Sequence, residues 1–195
     1  MGYQTYAGNF NGSNAYVSIP HNSAFNVTSS ISIQAVISTT SASEQYFFNK
    51  YDDGIYCRIN NGKFGFYLSG VSSGWFESLN TYNDGKTHNV VMKWDGSTKE
   101  IWVDGKPDNS VSRSGSIATG SSALLIGSRS LSANFWFDGK IQSVRFFNRS
   151  ISSDEVRDWY LEGLRALGGS SLSGLMDGLV AKFDTMDGNV LDDIV

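Results

Sequence analysis

The 195-residue chain holds one cysteine and two prolines, and only 17% of its residues are charged, against a usual share of about 25%. The single Cys57 excludes an intrachain disulfide and any zinc site built from cysteines. It lies in the alternating run Ile55-Tyr56-Cys57-Arg58-Ile59, a pattern that predicts a buried, inert thiol. Apolar stretches reach only about four or five residues, far short of the about 20 needed to span a bilayer, so no membrane insertion is expected. Basic residues are outnumbered by acidic ones, 15 to 19, and form no stripe, which argues against a nucleic-acid partner. The opening M-G-Y-Q-T-Y-A lacks the charged start and apolar run of a signal peptide. Sequons at Asn11, Asn26 and Asn148 carry little weight in a sequence so rich in Asn and Ser.

What is abundant is glycine, with 21 residues, and aromatic side chains, at 13%. The length fits one domain. Short alternating runs at 14–19, 31–38, 45–50, 55–60, 63–69, 87–94, 99–103, 123–127 and 141–147 predict strands. Between them stand Asn11-Gly12, Asp53-Gly54, Asn61-Gly62, Asp84-Gly85, Asp95-Gly96, Asp104-Gly105 and Asp138-Gly139, pairs suited to tight reversals. Side chains alternate across a strand. Ile31, Ile33, Ala35 and Ile37 therefore share one face, as do Ile55, Cys57 and Ile59, then Phe64, Phe66 and Leu68, then Val90, Met92 and Trp94. Each such set needs something to pack on, and the regular turns predict an all-β sandwich. One helix is expected at 152–166, capped by Ser152 or Ser153, with an apolar stripe of Val156, Trp159, Tyr160 and Leu164. A Gly/Ser-rich linker at 168–177 and a tail at 178–195 follow, with a strand-like G-L-V-A-K-F-D at its start.

The order of these segments resembles the laminin-G-like, concanavalin-A-like jelly-roll family. The similarity is carried by F-N-G-S-N-A-Y-V-S-I-P (10–20), S-I-S-I-Q-A-V-I-S (30–38) and the hairpin D-G-K-T-H-N-V-V-M-K-W-D-G-S-T-K-E-I-W-V-D-G-K (84–106). L-L-I-G-S (124–128) and F-D-G-K-I-Q-S-V-R-F-F-N-R-S-I-S-S-D-E-V (137–156) are similar to its closing section. The resemblance implies a two-sheet antiparallel jelly-roll sandwich over 1–167 with one short C-terminal helix. It also implies a non-catalytic module that binds sugars, proteins or cell-surface polymers, in an extracellular, cell-surface or virion setting. The strand like G-L-V-A-K-F-D usually comes first in the family and comes last here. Three arrangements follow, beside the plain alternative of a disordered tail: the tail folds back into its own sandwich, fills that slot in a neighbouring copy by strand exchange, or begins a further repeat. The resemblance carries a rim calcium ion in some members, with Asp138, Asp184 and Asp187 as the candidate ligands here. Asn11 and Gln142 stand where carboxylates are common in the family, which lowers the charge offered to a hard cation.

For catalysis, paired carboxylates of the glycosidase kind are sought at i and i+2 on a strand. Glu44, Glu77 and Glu100 each stand alone, Asp154, Glu155 and Asp158 read as a solvated helix face, and His21 and His88 have no nucleophile partner in a recognisable motif. No enzyme is expected. For sugar binding, the phase of strands 55–60 and 63–69 turns Tyr56, Arg58 and Tyr67 outward on one surface, with Gln34 placed on a neighbouring strand of that surface and Trp75 and Trp136 at the rim. Trp94, Trp102 and Trp159 read as packing residues. Glycan binding is the first expectation; contact with another protein chain through the sheet face or tail is the alternative.

Overall fold

The computed structural model describes residues 8–50, 54–72, 74–130, 135–165 and 179–184. Its strands are β1 (Gly8–Asn11), β2 (Val17–Ile19), β3 (Ile31–Ser38), β4 (Gln45–Lys50), β5 (Ile55–Asn60), β6 (Lys63–Leu68), β7 (Phe76–Glu77), β8 (His88–Trp94), β9 (Thr98–Val103), β10 (Lys106–Ser112), β11 (Leu124–Ile126), β12 (Asp138–Phe147) and β13 (Leu179–Asp184); the helix is α1 (Ser153–Arg165). They form two antiparallel sheets. The first runs β1-β12-β3-β8-β9-β10, with β13 also on β12, and the second runs β2-β11-β4-β5-β6-β7. This is the all-β sandwich expected from the alternation, in the two-sheet jelly-roll form that the family resemblance implies.

The core lies between the sheets, where the inward sets meet: Ile31, Ile33, Ala35 and Ile37 from β3, Val90, Met92 and Trp94 from β8, and Cys57, Ile59, Phe64 and Phe66 from the β5–β6 hairpin, all nearly or fully buried. Burial pushes the Cys57 thiol well above its ordinary pKa, so it packs as a small apolar group. That hairpin closes through Asn61 and Gly62 at φ 49° and 78°, the left-handed pair a two-residue reversal requires. A Cβ on Gly62 would also lie 2.3 Å from Asn83 Oδ1. Strand β10 was not predicted because K-P-D-N-S-V-S is polar and contains proline. It survives as an edge strand, with Pro107 at a register shift where no ladder donor is needed.

The helix starts one residue later than predicted, with Ser152 as its cap. Glu155 N donates to Ser152 Oγ at 3.2 Å and Ser152 N donates to Glu155 Oε2 at 2.7 Å, a reciprocal capping box. Val156 and Trp159 pack with Val91, Trp102, Phe147 and Ile151 in a second cluster on the outer face of the first sheet. No helix among the described residues is long and apolar enough to cross a membrane.

Strands β1 and β13 share one edge of β12. β1 lies opposite Asp138–Ile141, and β13 lies opposite Ser143–Phe147 with Asp184 facing Ser143. Both run antiparallel to β12, so β13 leads towards β1 along the same line. The predicted linker at 168–177 lies outside the described residues.

Candidate functional site

The outer face of the second sheet carries a hollow of about 370 Å³ lined by Glu44, Tyr46, Tyr56, Tyr67, Trp75 and Arg129. Its floor begins with the β5–β6 register. Tyr56 lies directly across from Tyr67, their rings 5.6 Å apart, and Arg58 lies directly across from Gly65. Trp75, on the turn before β7, covers this pair. Its ring is 5.7 Å from Tyr67, 6.3 Å from Tyr56 and 6.0 Å from Tyr46.

Gly65 makes this arrangement fit. A Cβ there would meet Trp75 Cε3 and Arg58 Cγ, both at 3.1 Å. The missing side chain lets the Arg58 guanidinium lie 3.7 Å from the Trp75 ring centroid, a close cation–π stack. Arg58 is also fixed from its far end: Nη1 donates to Glu44 Oε1 at 2.5 Å and Nη2 donates to Glu77 Oε1 at 3.0 Å. Three elements thus hold one rigid aromatic wall.

On the other side, β4 carries a register shift between Tyr46 and Phe48. The shift sends both Phe47 and Phe48 to the core and leaves Tyr46 facing outward. The Tyr46 hydroxyl donates to Glu44 Oε1 at 2.8 Å, and burial together with that carboxylate pushes its pKa up to about 12, so it stays a donor at all ordinary pH. Phe135 packs 6.0 Å from Tyr46 and holds φ 94°, a strained conformation for an aromatic residue. Its carbonyl accepts from Tyr46 N at 3.3 Å, which ties the strained loop to the wall. Arg129 reaches over Phe135 and Tyr46, at 5.3 and 5.8 Å from their ring centroids.

Of the residues singled out from sequence, Tyr56, Tyr67 and Trp75 line the hollow, and Arg58 supports it from beneath Trp75. Gln34 does not share this surface. It sits on β3 of the other sheet, fully buried, donating to Asn89 Oδ1 and accepting from Arg145 Nη1, both at 3.1 Å. Trp136 does not line the hollow either; its ring lies tilted against exposed Tyr16, 5.4 Å between centroids. Glu44, Tyr46, Gly65, Glu77 and Arg129 were not singled out as binding residues, and Glu44 and Glu77, read as isolated acids, meet on one arginine.

The calcium candidates do not converge. Asp138 starts β12, whereas Asp184 pairs with Ser143, five residues further along and so roughly 17 Å away. Calcium takes its oxygens at about 2.3–2.6 Å, which two such positions cannot share. Asn11 Oδ1 is engaged by the backbone N–H groups of Ser13, Asn14 and Ala15, each at 3.1 Å. Among the described residues no three His, Cys, Asp or Glu side chains cluster in a way that would hold a metal. Asp187 lies outside the described residues.

A laminin-G family model, described as the concanavalin A-like lectin/glucanases superfamily, matches residues 11–157. The chain belongs to this superfamily. Among solved structures, this lectin/glucanase-type domain is similar to a putative carbohydrate binding protein from Bacteroides ovatus, at 14% identity and a TM-score of 0.73, over 96% of this chain and 53% of that one. The chain therefore spans about half the length of that protein. It is also similar to domains LG4-5 of the mouse laminin α1 chain (16% identity, TM-score 0.58, 79% of this chain and 45% of that one). A third is the CBM40 of a Ruminococcus gnavus IT-sialidase bound to α2,3 sialyllactose (12% identity, TM-score 0.59, 80% and 98%). At these identities the likeness shows the shared sandwich. No curated protein matches the chain in sequence.

Proposed function

We propose that this domain is a non-catalytic carbohydrate-binding or adhesive module and that it takes a sugar in the hollow on the outer face of its second sheet. The carrying observation is the braced wall of Tyr56, Tyr67 and Trp75 beside Glu44, Tyr46 and Arg129. Flat rings offer apolar area to the C–H face of a pyranose at little entropic cost, while hydroxyl, carboxylate and guanidinium groups at the margin orient its hydroxyls. Glu44 and Glu77 each commit an oxygen to Arg58, which suits bracing better than proton transfer. That a carbohydrate binding protein and a sugar-bound CBM40 share the fold supports the reading. Such binding implies an extracellular or surface setting. The test is a glycan array read with the intact chain and with Trp75→Ala. Hits that the variant loses support the site; hits that it keeps place binding elsewhere, and an array without hits argues against sugar binding.

One observation favours a second role. Because β13 closes the same edge as β1 after a long connection, the same pairing is open to a neighbouring copy. Mass measured with and without residues 175–195 tests it: a dimer or longer assembly that dissociates on truncation supports exchange, and a monomer in both cases rules it out.

A further inference from the structure

From the charges around the hollow we infer that its preferred ligand is a sugar bearing a carboxylate, a hexuronate-type residue, read by Arg129. The inference rests on the sugar-binding reading above and adds the ligand class.

The two arginines at the site differ in their partners. Arg58 is neutralised twice over, by Glu44 and Glu77, and lies beneath Trp75. Arg129 lines the hollow itself and has no ion pair among the described residues. The Nε of both arginines is buried without a hydrogen-bond acceptor, so they differ at the outer end of the guanidinium, which in Arg129 lies over the Tyr46 and Phe135 rings. A planar guanidinium held against aromatic faces and left without a counter-ion among the described residues presents a fork that fits one group best, a carboxylate bound through two parallel hydrogen bonds. The hollow also favours a single negative charge over several. Glu44 lines the same space, and Arg58 already counters it, so a second or third anionic group would face Glu44 without compensation. A pyranose with one carboxylate satisfies both conditions: its ring stacks on the aromatic wall and its acid meets Arg129.

Calorimetric titration with a hexuronate oligomer, the matching neutral hexose oligomer and a sulfated hexose oligomer tests this. The intact chain should bind the hexuronate oligomer about ten- to hundredfold more tightly than the neutral one, and the difference should shrink as salt rises. Arg129→Gln should remove that preference by weakening hexuronate binding far more than neutral-sugar binding, with an unchanged melting temperature reporting that the variant is folded. Arg129→Lys should fall between, because a point charge cannot make the two-bond contact. Equal binding of acidic and neutral sugars, untouched by Arg129→Gln, would overturn the inference and leave the sugar site standing. Equal or tighter binding of the sulfated oligomer would overturn the choice of carboxylate. No binding of any of the three would remove both readings.

Discussion

The two outer faces of the sandwich carry the same device under opposite conditions. On the first sheet, Arg145 lies 4.1 Å from the Trp159 ring; on the second, Arg58 lies 3.7 Å from the Trp75 ring. The first stack is covered. Helix α1 and the segment before it lie over Val91, Trp102 and Phe147, Lys93 Nζ donates to the Ile151 carbonyl at 3.1 Å, and Ile151 N donates to Ser32 Oγ at 2.9 Å. Val91 and Lys93, on the outward face of β8, are buried beneath this layer. The second stack has no such layer. Tyr56, Tyr67 and Trp75 stay half-buried around an open hollow. A sheet face closed by its own chain contributes stability, and one left open but rigid is available to a ligand.

Paired substitutions should separate these roles. Trp159→Ala should cost about 3–5 kcal/mol, because it empties the centre of the helix–sheet cluster; for a chain of this size that is a fall in Tm of about 10 °C or more, read by calorimetry. Trp75→Ala should shift Tm by only a few degrees and instead lower sugar affinity by about tenfold or more. If Trp75→Ala proved the more destabilising of the two, the division between faces would be wrong. A finer change is Gly65→Ala. The added methyl pushes Trp75 off Arg58, so affinity should drop by about three- to tenfold while the hairpin stays folded; unchanged affinity would mean that the stack is not needed for binding.

The smallest effect concerns pH and belongs to the covered sheet. His88 sits between Asp104, 2.8 Å from Nδ1, and Asp84, 3.1 Å from Nε2. The Asp104 hydrogen bond is the main cause that raises its pKa above the ordinary imidazole value, with burial opposing it. The folded state therefore holds the proton more tightly than the unfolded chain. The resulting stabilisation is fully present below about pH 6.5, the unfolded value, and is lost as pH rises through the folded one. Denaturant melts of the wild type and His88→Gln should differ most at pH 5–6 and converge towards pH 8–9, while a gap that grew with pH would reverse the sign. Sugar binding at the distant hollow should not follow this titration.

Much of the framework was legible from period-two alternation, and the reasons for the rest are specific. Alternation sorts inward from outward side chains, so it turned Tyr56, Arg58 and Tyr67 away from the core. It does not say which of two sheets a strand joins. Gln34 has the outward phase of β3, but that strand pairs with β8 and β12, and the face it points to is roofed by the helix segment. Tyr46 was obscured by the register shift in β4, where Q-Y-F-F sends two neighbouring phenylalanines to the same side. Arg129, Glu77 and Gly65 come from three separate elements, and only the closed topology brings them to one place. Gly65 has a negative signature in sequence: a small residue between Phe64 and Phe66 reads as a weak point in a strand, whereas in the fold it is the space Trp75 and Arg58 occupy.

The most direct test is to locate the sugar itself. In crystals of the intact domain soaked with an oligosaccharide that binds in solution, a pyranose ring should lie in the hollow against Trp75 and the Tyr56–Tyr67 pair, within hydrogen-bond reach of Glu44 or Arg129. A sugar seated elsewhere, with the Trp75 wall bare, would contradict the assignment of the open face as the binding surface.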